Sequence, residues 1–133
     1  MPFVRFDELR VFKAAEMFAD EIWSVVNGWD TFAKLTIGKQ LVRSADSIGA
    51  NIAEGSGRGA TKDNQRFVRM VRGSLNETKY WLRRASARNL INQDQMLELN
   101  GTIETMGLSL NAYLRSLDPS KHSTNTSESS LNR

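Results

Sequence analysis

A chain of 133 residues with 40% hydrophobic and 25% charged residues has room for one hydrophobic core of ordinary globular composition. The absence of cysteine excludes disulfides, thiolate metal sites and cysteine nucleophiles, and a formal net charge of +3 is too mild an excess to demand a polyanionic partner. No apolar stretch approaches the roughly 18 residues of a membrane span, and Met1 to Arg10 lack a secretory pattern, so a soluble, cytoplasmic chain with no membrane partner is expected.

Four segments carry helical periodicity and none shows the period-two alternation of a strand. The first runs from about Asp7 to Val26, where Val11, Phe12, Ala15, Phe18, Ala19, Ile22, Trp23 and Val26 recur at three- and four-residue steps. Asn27-Gly28 offers a left-handed stop. The second starts near Asp30 or Thr31 and reaches Glu54, with Leu41, Ala45, Ile48 and Ile52 as its apolar stripe. Beside that stripe lies a polar one of mostly small residues, Gln40, Ser44, Ser47, Asn51 and Glu54, which would let two helices approach closely.

Gly55-Ser56-Gly57-Arg58-Gly59-Ala60 breaks the pattern, and Thr61 is a suitable cap for the third helix, with Asp63 in its first turn. Phe67, Met70, Val71, Leu75, Trp81, Leu82 and Ala85 are its expected buried side. Asn92 and Gln95 form a capping box flanked by Ile91 and Met96, and Met96, Leu99, Ile103, Met106, Leu110, Tyr113 and Leu117 then step 3-4-3-4-3-4. Pro119 ends the fourth helix, and the Ser, Thr and Asn that follow have little to bury.

The fold class expected is all-α, an antiparallel up-and-down four-helix bundle over residues 1–118 with a disordered tail over 119–133. Its helices fall near 7–27, 31–54, 62–89 and 93–117. Exposed Trp and Phe are costly, and one bundle of this size is not expected to bury Trp23, Trp29, Phe32 and Trp81 together, which points to a homo-oligomer.

Catalytic chemistry finds no constellation here. The only histidine, His122, lies in the expected tail, and no inward-facing Glu-x-x-His pair of a di-iron bundle occurs. Glu54 and Glu77 fall at the edges of buried stripes and read as buried or half-buried structural acceptors. The glycine loop matches neither phosphate-binding fingerprint and follows a helix where both need a strand, so it reads as an interhelical turn, with a weaker option of an anion held near Arg58 and the helix start at Thr61. No enzyme, cofactor, metal or small-molecule substrate is expected.

The outward-pointing feature is a basic face on the third helix. Arg69, Arg72, Lys79 and Arg83 cluster opposite Phe67, Val71 and Leu82, with Arg66 and Arg84 towards one flank. Between Lys62 and Arg88 basic residues greatly outnumber the two acids, Asp63 and Glu77. A solvated face normally carries both signs, so contact with RNA or DNA backbone is the first functional reading. The alternative is a protein–protein interaction scaffold in which those arginines meet acidic partners or neighbouring subunits.

Ser47-Ile48-Gly49-Ala50-Asn51-Ile52-Ala53-Glu54-Gly55 followed by Gly57-Arg58 resembles the signature of the bacterial 23S rRNA-intervening sequence proteins. Gln40 to Ala45 and Arg72-Gly73-Ser74-Leu75-Asn76-Glu77 resemble the same family, and the likeness runs from about Leu9 to Leu117. Members commonly carry proline where this chain has Gly49, so any kink there would come from glycine flexibility. The resemblance implies a four-helix bundle, often a homopentamer, with no known catalytic activity. It extends distantly to the accessory protein of diversity-generating retroelements, a basic pentamer that binds nucleic acid. Within the motif, Asn51, Glu54, Ser74 and Glu77 are expected to meet at helix–helix contacts and serve packing.

Overall fold

The computed structural model describes residues 5–58 and 61–117, with Thr61 described by its backbone alone. The expected tail, with His122 and Pro119, lies outside the described residues. Every regular element among them is helical: a 3-10 turn at Phe6–Glu8, then α1 (Arg10–Asn27), α2 (31–56), α3 (Thr61–Ala87) and α4 (Gln93–Ser116). No described helix is long and apolar enough to cross a membrane.

In α1, Val11, Ala15, Phe18, Ile22 and Val26 are buried, and Phe12 and Ala19 pack half-buried against the core. Trp23, expected on that face, is 62% exposed. It lies one residue beyond Ile22, about 100° around the helix and past the edge of the stripe. The stop at Gly28 also differs from expectation, since its φ of −84° is right-handed. The helix end is closed instead by the Gly28 and Trp29 amides, which donate to the Val25 and Val26 carbonyls.

Asp30 caps α2, its carboxylate accepting from the Ala33 amide at 3.0 Å. The helix is α-helical over Thr31–Ala33, widens into a π-helical turn at Lys34–Gly38, and resumes as α-helix over Lys39–Ser56. The reason is in the spacing of its buried residues. Ala33, Ile37, Leu41 and Ala45 recur every four residues, overshooting the 3.6-residue turn by about 40° at each step. One wider turn absorbs the excess. The Thr36 hydroxyl donates to the Phe32 carbonyl at 2.7 Å within it. Gly38 is buried there, and a Cβ at this position would lie 2.8 Å from Val26 Cγ1, so α1 and α2 touch almost backbone to side chain. No break occurs at Gly49, where an added Cβ would meet the Phe12 ring at an ordinary 3.7 Å.

α3 buries Phe67, Val71, Leu75, Leu82 and Ala85 as expected, together with Val68 and Thr78. Met70, assigned to the core by its spacing, is 48% exposed, because it sits about 100° before Val71 on the flank shared with half-buried Trp81. Asn89 ends the helix with a φ of 61°, and the amides of Leu90 and Asn89 return to the carbonyls of Ala85 and Ser86 at 2.9 and 3.1 Å, a Schellman closure. The capping box at Asn92 and Gln95 is present with both bonds. The α4 seam from Leu99 to Tyr113 is buried as its 3-4 spacing predicts.

α2 and α3 make the most extensive helix contact, followed by α1 with α2, α1 with α4, and α3 with α4. Two features set the α2–α3 distance. A Cβ on Gly55 would stand 2.6 Å from Phe67 Cβ and 2.9 Å from Asn64 Oδ1, so only glycine fits at this approach. Further along, the Thr78 and Ser44 hydroxyls hydrogen-bond at 2.9 Å, joining two buried side chains across the seam. Between α3 and α4, Asn64 Nδ2 donates to the Tyr113 hydroxyl at 2.9 Å and Arg72 bonds Asn111.

Candidate nucleic-acid interface

The burial of α3 on one side fixes what its other side presents. With Val68, Val71, Leu75, Thr78 and Leu82 turned inward, the 100° step turns Arg66, Arg69, Arg72, Lys79 and Arg83 to solvent, and Arg84 is half-buried at the flank. Arg72 Nη2 donates to Asn111 Oδ1 of α4, which holds that guanidinium beside the helix pair without neutralising it. Arg66 lies over the Phe67 ring, 5.3 Å from its centroid. Among the described residues the ion pairs are Arg5–Asp7 and Arg58–Glu54, so none of the α3 cations is paired with a carboxylate. Asp63 in the first turn of α3 and Arg84 in the last both oppose the helix dipole favourably.

The motif residues sit elsewhere and act differently from expectation. Glu54 is exposed and pairs with Arg58 at 2.8 Å, one helical turn on. Glu77 is exposed too, accepting from Trp81 Nε1 at 3.1 Å. Neither is a buried acceptor, and the two do not meet. Both fall just outside the arcs that α2 and α3 bury against each other, and a charged group at that edge gains more from water than from the seam. Asn51 and Ser47 turn their side chains back on their own helix, Asn51 to the Ser47 carbonyl at 2.9 Å and Ser47 to the Ser44 carbonyl at 2.7 Å. Ser74 is half-buried, and its carbonyl accepts from the Thr78 hydroxyl at 2.8 Å. Gly73 is exposed, and a Cβ there would meet nothing within 4 Å. Gly55 alone of the motif glycines is demanded by packing, whereas Gly57 closes α2 with its amide on the Ala53 carbonyl.

Arg58 stacks over Phe67 at 5.1 Å as well as pairing with Glu54, so its charge is turned to its own helix end. Sequence reasoning missed the Ser44–Thr78 pair. Its signal was present, because Thr78 keeps the 3-4 phase of Val71, Leu75, Leu82 and Ala85, but a polar residue in that phase was not counted as core. A second feature unseen in the sequence is a cleft of about 330 Å³ between α1 and α2, floored by Ala19, Gly49, Ala50 and Ala53 and edged by Asp20 and Asp46. Burial, and then the neighbouring Asp20 charge, push the Asp46 carboxyl above its ordinary value. Among the described residues no three metal-ligating side chains converge.

The model of the 23S rRNA-intervening sequence protein family matches residues 7–112. The chain belongs to this family. No curated protein matches it. The 23S rRNA-intervening sequence match takes in α1, α2, the whole of α3 with its cations, and most of α4, stopping short of Leu117. The Asn-Ile-Ala-Glu-Gly string that pointed to this family therefore has a physical content in Gly55, the residue that lets α2 and α3 close.

Proposed function

We propose that the protein is a non-enzymatic, oligomeric helical bundle that binds RNA or DNA backbone through the outer face of α3, with its helices in antiparallel up-and-down order. The observation that carries the reading is the set of exposed α3 cations, Arg66, Arg69, Arg72, Lys79 and Arg83, without a carboxylate partner among the described residues. Cations balanced by acids release no counterions from a polyanion, whereas unbalanced ones do, and that release supplies the affinity. Oligomerisation draws support from Trp23, Phe32 and Leu35, which are 62%, 77% and 70% exposed, and from Met17, Leu97 and Leu108 besides. A closed ring, a pentamer by family resemblance, would repeat the stripe and raise the effective concentration of each successive contact along a strand.

The same exposed apolar side chains are the observation that favours the second reading, a protein–protein scaffold. Binding measured against salt separates the two. For a backbone binder log K falls linearly with log salt, by about 0.9 per neutralised phosphate on duplex DNA and about 0.7 on single strands. Replacing Arg72 and Arg83 together is expected to flatten that slope while helicity and mass by light scattering stay unchanged. A parent protein that binds neither RNA nor DNA at about 50 mM salt would overturn the nucleic-acid reading and leave the scaffold.

A further inference from the structure

The exposed crest of α3 is not uniformly basic. Stepping along it by four and three residues from Arg69 leads through Gly73, Asn76 and Tyr80 to Arg83, a span of about 21 Å at 1.5 Å per residue. Cations stand at both ends and three uncharged residues lie between them. Tyr80 is 53% exposed, and Asn76 on the turn before it is exposed as well, with no partner for its amide among the described residues. Gly73 adds no side chain to the crest, and the space around it is open, with nothing within 4 Å of where a Cβ would stand.

Tyr80 is also held. Its ring stands T-shaped to Trp81, centroids 5.0 Å apart and planes at 70°. Trp81 is in turn fixed by the core on one side and by its bond to Glu77 on the other. An edge contact of this kind covers at most one face of the phenol ring, and the exposure of Tyr80 leaves a face to solvent. A large aromatic ring restrained in this way, presented to water between positive charges, has little to do for the fold.

Resting on the backbone-binding reading above, we infer that Tyr80 is a stacking platform for an unpaired base and that the α3 crest takes single-stranded rather than duplex nucleic acid. The ring offers a base its π-face, which requires a base free of its own stack. Lys79 and Arg83 lie within one turn of Tyr80, where the phosphates on either side of a stacked nucleotide would fall. Asn76 brings both a donor and an acceptor to the edge of that base. Trp81 and Glu77 are positioning residues: they hold the ring and touch no ligand. Because the ring is already restrained, stacking on it costs less ordering than on a freely rotating side chain.

The test uses the full chain and one sequence in three forms: a labelled single-stranded oligoribonucleotide, its deoxy equivalent, and the annealed duplex, each across a salt series. Tyr80→Ala is expected to weaken binding to both single strands by about 5- to 100-fold while changing duplex binding less than about twofold. Tyr80→Phe keeps the parent affinity. Tyr80→Leu, which retains bulk over Trp81 and so guards against loss of fold, behaves like the alanine variant. The log–log salt slope stays unchanged in all three, since no charge is removed. If the parent binds and Tyr80→Ala and Tyr80→Leu lose nothing, or lose equally on duplex, the stacking assignment is overturned while backbone binding stands. A parent that binds none of the three probes overturns both.

Discussion

The two glycines at Gly55 and Gly73 allow the packing argument to be tested with one substitution of opposite expected sign. At Gly55 an alanine Cβ would lie 2.6 Å from Phe67 Cβ and 2.9 Å from Asn64 Oδ1, about 1 Å inside normal contact. Phe67 Cβ is bonded to the α3 backbone and cannot rotate away, so the two helices must part over their most extensive contact. Overpacking of this kind costs about 1–3 kcal/mol, from which the better helix propensity of alanine returns about 0.5–1 kcal/mol. The net expectation is a loss of about 1–2 kcal/mol. At Gly73 nothing lies within 4 Å, only the propensity term remains, and Gly73→Ala should gain about 0.5–1 kcal/mol. The two variants should therefore differ by about 2 kcal/mol, roughly thirtyfold in the folding equilibrium. Urea melts at one fixed protein concentration, with unchanged m-values, read this directly. If Gly55→Ala is stabilised as much as Gly73→Ala, glycine is not what sets the α2–α3 approach and the reasoning fails.

Leu110, 2% exposed in the α4 seam, should cost about 2–5 kcal/mol when replaced by alanine, and a denaturant melt showing a loss well under 1 kcal/mol would contradict its place in the core. Glu77→Ala should change stability by no more than about 0.5 kcal/mol, because it removes only a surface bond one turn long; a larger loss in the same melt would show the carboxylate to be buried after all. Asp46→Asn carries a pH signature. The folded carboxyl titrates above the ordinary 3.8, so ionisation opposes folding as pH rises from that value through the raised one, and the penalty persists above it. The asparagine variant should melt later than the parent at pH 7, with the advantage closing as the pH falls through the raised value towards 3.8, and equal midpoints at every pH would count against the crowding of Asp20 and Asp46.

Helix number and the burial of α4 were legible because the seam residues from Leu99 to Tyr113 keep one phase without interruption. The Asn92–Gln95 capping box was legible because its bonds join residues three apart. Trp23, Met70, Glu54 and Glu77 were misplaced for a common reason: each lies on the shoulder of a stripe, where one step of 100° decides between seam and solvent and only the neighbouring helix settles the outcome. The basic stripe could be read from the sequence, since it follows from the phase of α3 alone. The hold on Tyr80 could not, because the angle between two adjacent rings depends on what packs beneath the second.

The π-helical turn at Lys34–Gly38 gives α2 a place to absorb a one-residue change in chain length. Ala33, Ile37, Leu41 and Ala45 reach the same core only because one residue more than a regular turn holds is stored between them. Deleting a single residue there would close the helix into regular α geometry and shorten the Ala33–Leu41 separation to seven residues, about 700° and so within about 20° of two full turns. Ala33 would therefore keep its buried phase, and the Asp30 cap with the half-buried Trp29 ahead of it would keep its place at the helix start. Relatives one residue shorter within this segment would therefore present the same side chains at that end of the bundle, on a regular helix in place of the wide turn.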